Sequence, residues 1–98
     1  MRQITIDAIA ALQAREPFNR SNTSVVPLKD EGFTSLYLHG NEIIRLADDG
    51  ALYITDAGWA TLTTKERLNG LPNVHIQQKN YLWYLNGEQW DGAWIRVD

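Results

Sequence analysis

Apolar and polar residues recur at helical spacing in two stretches of this chain and alternate one-for-one in several others. Ile4, Ala8, Ala11, Leu12 and Arg15 form one stripe at helical spacing, with Ile9 beside it. The stripe predicts an amphipathic helix from Ile4 to Arg15, with Thr5 as cap, Asp7 near the positive end of the helix dipole and Pro17 as the stop. Its apolar face should cover one side of a sheet. The polar run from Phe18 to Thr23 reads as a connecting loop, because Asn and Ser bond to their own backbone. Val25 and Val26 predict a short strand ended by Pro27. Thr34, Leu36 and Leu38 then alternate with Ser35, Tyr37 and His39, Gly40-Asn41 supplies a turn, and Glu42 to Ala47 returns. After Asp48-Asp49-Gly50, a third strand runs from Ala51 to Thr55, so this part predicts an antiparallel meander.

The stretch from Asp56 to Pro72 holds start, body and stop signals for a second helix. Thr63, Thr64, Lys65 and Glu66 read as a capping box, in which a Thr hydroxyl accepts from a free amide and Glu66 reaches back. Gly70 and Pro72 stop the helix, Gly by tolerating a left-handed backbone and Pro by lacking an amide hydrogen. Alternation resumes from Val74 to Gln78, Lys79-Asn80 connects, and Tyr81 to Leu85 forms the next strand. Asn86-Gly87 is the strongest hairpin signal in the chain, and Gln89 to Val97 completes that hairpin with a bulge or turn at Asp91-Gly92. The expectation is an α+β domain: an antiparallel sheet of five to six short strands in two meanders, an N-terminal helix and a short central helix.

Composition narrows the class. At 98 residues the chain is expected to form one domain, and 44% hydrophobic against 21% charged residues places it among globular proteins. No apolar run approaches a membrane span, and the start Met-Arg-Gln lacks an apolar signal region, so a cytosolic protein is expected. There is no cysteine, which excludes disulfides and thiol chemistry. A net charge of −3 provides no global field for gathering nucleic acid. Locally, six acidic residues face the single basic Arg45 between Asp30 and Asp56.

Trp59, Thr63-Thr64-Lys65, Arg67-Leu68-Asn69, Ile76-Gln77-Gln78-Lys79 and Trp83 together resemble a pattern in small uncharacterised proteins of tailed bacteriophages. The likeness covers roughly Leu36 to Gly87, and Thr-Thr-Lys-x-Arg-Leu-Asn is its most specific element. The resemblance implies a phage origin and a life in the bacterial host cytoplasm. It brings no activity and no catalytic residues.

Candidate chemistry is sparse. His39 and His75 are the only side chains whose ordinary pKa suits acid-base work near neutrality, and no further ligands converge on either by spacing. Ser21, Ser24 and Ser35 lack a neighbouring base, and Asp48-Asp49 is explained by a turn. No enzyme, cofactor or metal is expected. Thr63, Thr64, Lys65 and Arg67 form a candidate anion site at the start of the central helix, where free amides favour phosphate. The acidic run between Asp30 and Asp56 would suit imitation of a nucleic-acid surface, though turn chemistry alone selects Asp there.

Aromatics are the strongest signal: Trp83, Trp90 and Trp94, with Tyr81 and Tyr84, crowd the last eighteen residues. Trp and Tyr dominate binding hot spots, and they also complete small cores. The first reading is a phage accessory protein that binds, and modulates or inhibits, a bacterial host protein through Tyr81, Trp83, Trp90 and Trp94 without catalysis. The second is a nucleic-acid or phosphate binder using Thr63 to Arg67. The third is a self-assembling protein, for instance a homodimer through an unpaired edge strand.

Overall fold

The alternating stretch around Leu36 becomes the middle of a six-stranded antiparallel sheet in the structure, a computed structural model that describes residues 1–98. Five strands follow one another as a meander: β1 (Phe18–Arg20), β2 (Thr23–Leu28), β3 (Phe33–Leu38), β4 (Asn41–Ala47) and β5 (Leu52–Ile54). The sixth is the last strand of the chain, β9 (Ile95–Arg96), which pairs with β5. Between β5 and β9 the chain makes helix α2 (Leu62–Leu68) and a second meander of three strands, β6 (Ile76–Lys79), β7 (Leu82–Leu85) and β8 (Glu88–Gln89). Helix α1 (Gln3–Ala14) precedes everything. The fold is α+β, with nine strands because β1, β8 and β9 are too short to show as alternation.

Strand periodicity sorts the larger sheet into two faces. Val25, Leu36, Ile44 and Ile54 are partnered across the strands and point inward, each almost completely buried. Ala8, Ile9 and Leu12 of α1 cover the β1–β3 part of this face. Leu68, Leu71, Val74, Ile76, Trp83, Leu85 and Trp90, from α2 and the smaller sheet, complete one continuous core. Burial of each such side chain stabilises the fold by roughly 1.5–3 kcal/mol, so this inner face is where the fold is decided. The opposite face carries Val26, Phe33, Ser35, Tyr37, Arg45, Tyr53 and Arg96, and no helix or strand lies over it.

Several local expectations change. Phe18 to Arg20 is a strand, not loop: only Ser21-Asn22 forms the turn, and Arg20 is satisfied by Asp7 of α1 at 2.7 Å and by the Phe18 ring at 5.0 Å. β2 continues through Pro27, because β1 pairs no further than Val25 and the missing amide falls where β2 has become an edge. The β3–β4 turn is His39-Gly40, one residue earlier than the sequence pattern suggests, and both residues have the positive φ of a tight hairpin (51° and 79°). The β6–β7 turn is Asn80-Tyr81, one residue later than the Lys79-Asn80 connection expected, again with both residues at positive φ (53° and 66°). In β4 one extra residue, Ile43, breaks the register against β3 and is buried.

Neither helix uses the cap the sequence suggests. Arg2 occupies the N-cap of α1 without a side-chain bond, while Thr5 lies buried inside the helix and donates to Glu66 Oε1 at 2.6 Å. The cap of α2 is Thr61, whose hydroxyl accepts the Thr64 amide at 3.2 Å, so Thr63 is an ordinary helical residue and Glu66 does not reach back. Substituting Thr61 with Ala should cost about 1 kcal/mol, whereas Thr63→Ala should leave the urea midpoint where it was. A drop confined to the Thr63 variant would return the cap to that residue. Gly70 also differs: its backbone is not left-handed. It is required for space, since a Cβ there would lie 2.6 Å from Thr5 Cγ2 and 2.8 Å from Ile9 Cγ1. Beside it Asn69 exchanges two hydrogen bonds with the backbone of Ile76, at 2.7 and 3.1 Å, and pins the smaller sheet to α2.

The C-terminal segment from Gln89 to Val97 is divided between the two sheets. β8 ends at Gln89, Trp90 turns into the core, and Gly92 returns the chain to β5, where its carbonyl accepts from the Asp56 amide at 3.0 Å and the Thr55 hydroxyl at 2.6 Å. The terminal carboxylate side chain of Asp98 accepts from Arg96 and from the Leu52 amide, which hold it down at about 2.

Candidate functional site

The proposed anion site is not assembled. Arg67 is 1% exposed, and its guanidinium donates to Thr5 Oγ1 at 2.8 Å, Thr23 Oγ1 at 3.0 Å, Asn22 Oδ1 at 3.3 Å and Glu66 Oε1 at 3.4 Å. It joins α2, α1 and the β1–β2 turn from within, and burial lowers its pKa. Thr64 is also buried and bonded to Thr61, while Thr63 and Lys65 remain partly exposed. No cation of this group is left to face a phosphate except Lys65, in the last turn of a seven-residue helix.

The aromatic set divides. Trp83 and Trp90 are 7% and 8% exposed and stack obliquely, with centroids 6.3 Å apart, at the base of the smaller sheet. The Trp90 indole donates to the Ala93 carbonyl at 2.9 Å, which satisfies its only polar atom. These two rings are core, and the expectation that they contact a partner is withdrawn. Tyr81 is almost fully exposed at the β6–β7 turn. Trp94 is half exposed and lies elsewhere, against the uncovered face of the larger sheet.

There the residues form a connected platform. The Arg45 guanidinium carbon lies 4.2 Å from the Phe33 ring centroid and 5.2 Å from that of Trp94, so the cation is stacked against both rings. Tyr53, opposite Arg45 on β5, shares a shallow depression with Arg45 and Trp94. Glu42 fixes the Arg45 head with bonds of 2.8 and 3.0 Å and accepts the Ser35 hydroxyl. Partial burial pushes the Glu42 carboxyl up, but the bonds from Arg45 and Ser35 outweigh it and the net shift is down; the same pair raises Arg45. The acidic run does not form one surface. Glu42 belongs to this platform and Asp56 is buried, while Asp30-Glu31 and Asp48-Asp49 sit on adjacent turns at one end of the sheet.

A cavity of about 440 Å³ opens at the other end, between the β3–β4 turn and the start of α2. Leu38 and Ile43 contribute its apolar lining; His39, Asn41, Asp56, Thr61 and Thr63 contribute polar groups, and Trp59 its aromatic wall. His39 is exposed at its rim, and His75 is exposed on the far side of Asn86, which binds the His75 amide. Nothing in the alternation pattern marks this cavity, because its residues come from separate elements. The one sequence signal was Trp59, the only Phe, Tyr or Trp between Tyr53 and Tyr81.

Compared with known proteins, residues 1–96 match the family model described as Kyanoviridae Gp96 protein, and the chain belongs to this phage protein family. No curated protein matches it, and no solved structure does.

Proposed function

We propose that this member of the Kyanoviridae Gp96 family acts in the bacterial host cytoplasm by binding a host protein, without turnover, through the uncovered face of its six-stranded sheet. One observation carries the reading: Arg45 lies against both Phe33 and Trp94, beside Tyr53, on a face over which no helix or strand packs. The open face of an antiparallel sheet is ordinarily polar. Here it presents the residue types that dominate hot spots, with their charged member already held in place by Glu42. The acidic turns Asp30-Glu31 and Asp48-Asp49 flank it and favour a partner with a basic rim. Self-assembly through strand edges has less to work with, since the edges of the larger sheet are strands of three and two residues.

Immobilised protein should retain a discrete host protein from lysate. With that protein purified, Trp94→Ala should weaken binding about thirtyfold, the effect of a 2 kcal/mol hot spot. Tyr81→Ala, at the far turn of the smaller sheet, should leave affinity unchanged. Equal binding by wild type and Trp94→Ala, or no discrete partner at all, overturns the reading.

A further inference from the structure

We propose that the cavity beside Trp59 is a binding site for a guanidinium group, carried either by a small molecule or by an arginine side chain of a peptide. Its volume, about 440 Å³, lies within the range of small-ligand pockets. The class of ligand follows from three features of the lining.

First, Asp56 is 8% exposed and forms none of the chain's four ion pairs, which use Asp7, Glu42, Glu66 and Asp98. One of its oxygens accepts the Gly58 amide at 2.7 Å; the other accepts no hydrogen bond within the chain. The carboxylate has no cation within the chain to pair with, and its second oxygen keeps contact with solvent, so a ligand cation entering the cavity meets an unpaired negative charge. Second, the Trp59 ring is 62% exposed yet firmly delivered. Ala57 and Gly58 take consecutive left-handed conformations (φ 56° and 83°), and the Trp59 amide donates to the Asp56 carbonyl at 2.9 Å. A large ring held in solvent beside a carboxylate is the arrangement that binds cations over an aromatic face. Third, no Lys or Arg lines the cavity, so phosphates and carboxylates find no counter-charge there.

Planarity decides between cations. A guanidinium can lie flat on the indole while its edge donates to Asp56, with donors to spare for Asn41 and the Thr63 hydroxyl. An ammonium offers a point charge and no flat face. The site is separate from the Trp94 platform, so each can fail without the other.

The test follows the indole N–H signal of Trp59 by NMR in the intact protein during titration with agmatine and, separately, with a capped Gly-Arg-Gly peptide. Saturable shifts are expected, with a dissociation constant of about 1 mM or tighter. Whichever probe binds more tightly identifies the source of the group. A capped Gly-citrulline-Gly peptide, isosteric but neutral, should bind at least tenfold more weakly. Asp56→Asn should weaken binding by a similar factor. Trp59→Leu, at an exposed position that leaves the fold intact, should do the same, followed through the amides of Asn41 and Thr63. The absence of saturable shifts with both probes, or equal binding of arginine and citrulline peptides, or undiminished binding by both variants, overturns the proposal.

Discussion

Replacing Arg67 with methionine should lower the thermal midpoint by more than ten degrees. The side chain is nearly sealed from solvent, and its guanidinium is the common partner of Thr5, Asn22, Thr23 and Glu66. Removing one member of a buried ionic network typically costs about 3–5 kcal/mol, because the groups left behind lose their partner where water cannot replace it. Glu66 is the most vulnerable of them: its Oε2 is already buried without a hydrogen bond, and its Oε1 depends on Thr5 and Arg67. For a domain of this size 1 kcal/mol corresponds to roughly 4–8 °C, so the expected shift is about 12 °C or more. Arg67→Lys should recover only part of it, since an ammonium cannot bridge α1, the β1–β2 turn and Glu66 at once. Calorimetry on the three proteins decides the matter. A methionine variant as stable as wild type would mean that the network specifies the arrangement of the helices without net stabilisation.

Gly92→Ala is the second large effect expected, about 2–5 kcal/mol. A Cβ at this position would lie 2.0–2.5 Å from the carboxylate atoms of Asp56, and the backbone is left-handed with φ 89°. The left-handed conformation alone costs about 1–2 kcal/mol for a residue with a Cβ, and forcing apart packed groups adds about 1–3 kcal/mol. Gly87→Ala separates the two contributions. Its φ is 91°, but a Cβ there meets nothing within 4 Å, so only the backbone cost should appear in its denaturation midpoint. If the two variants lose equal stability, Asp56 yields to the methyl group without resistance.

Features that depend on neighbours in sequence were legible before the structure. Ala8, Ile9 and Leu12 announce their helix, Leu36 and Leu38 their strand, and Asn86-Gly87 its hairpin, because each rests on spacing or on a preference for positive φ. Turn positions slipped by a residue where His39 and Tyr81 adopt left-handed conformations that their side chains do not favour. The cap of α2 slipped because Thr61, Thr63 and Thr64 all offer a hydroxyl, and the choice is made by packing that buries Thr64. The helix-start pattern offered Arg67 to an anion; contacts with residues more than forty positions away placed it inside. The same holds for the tryptophans. Trp90 and Trp94 are four apart, yet a single turn at Gly92 sends one into the core and the other onto the outer sheet face, and no local pattern distinguishes them.

The pairing of β9 with β5 brings the end of the chain to a place prepared forty residues earlier. Thr55 and Asp56 hold the Gly92 carbonyl, and Val97 donates to Leu52 at 2.9 Å. During translation the ribosome builds β5 long before it builds its partner. Until Ile95 and Arg96 emerge, the β5 edge of the nascent chain has no strand beside it. The larger sheet therefore closes only after α2 and the whole second meander have been made, so the strand pair made last in the sheet is also the one that spans the most sequence.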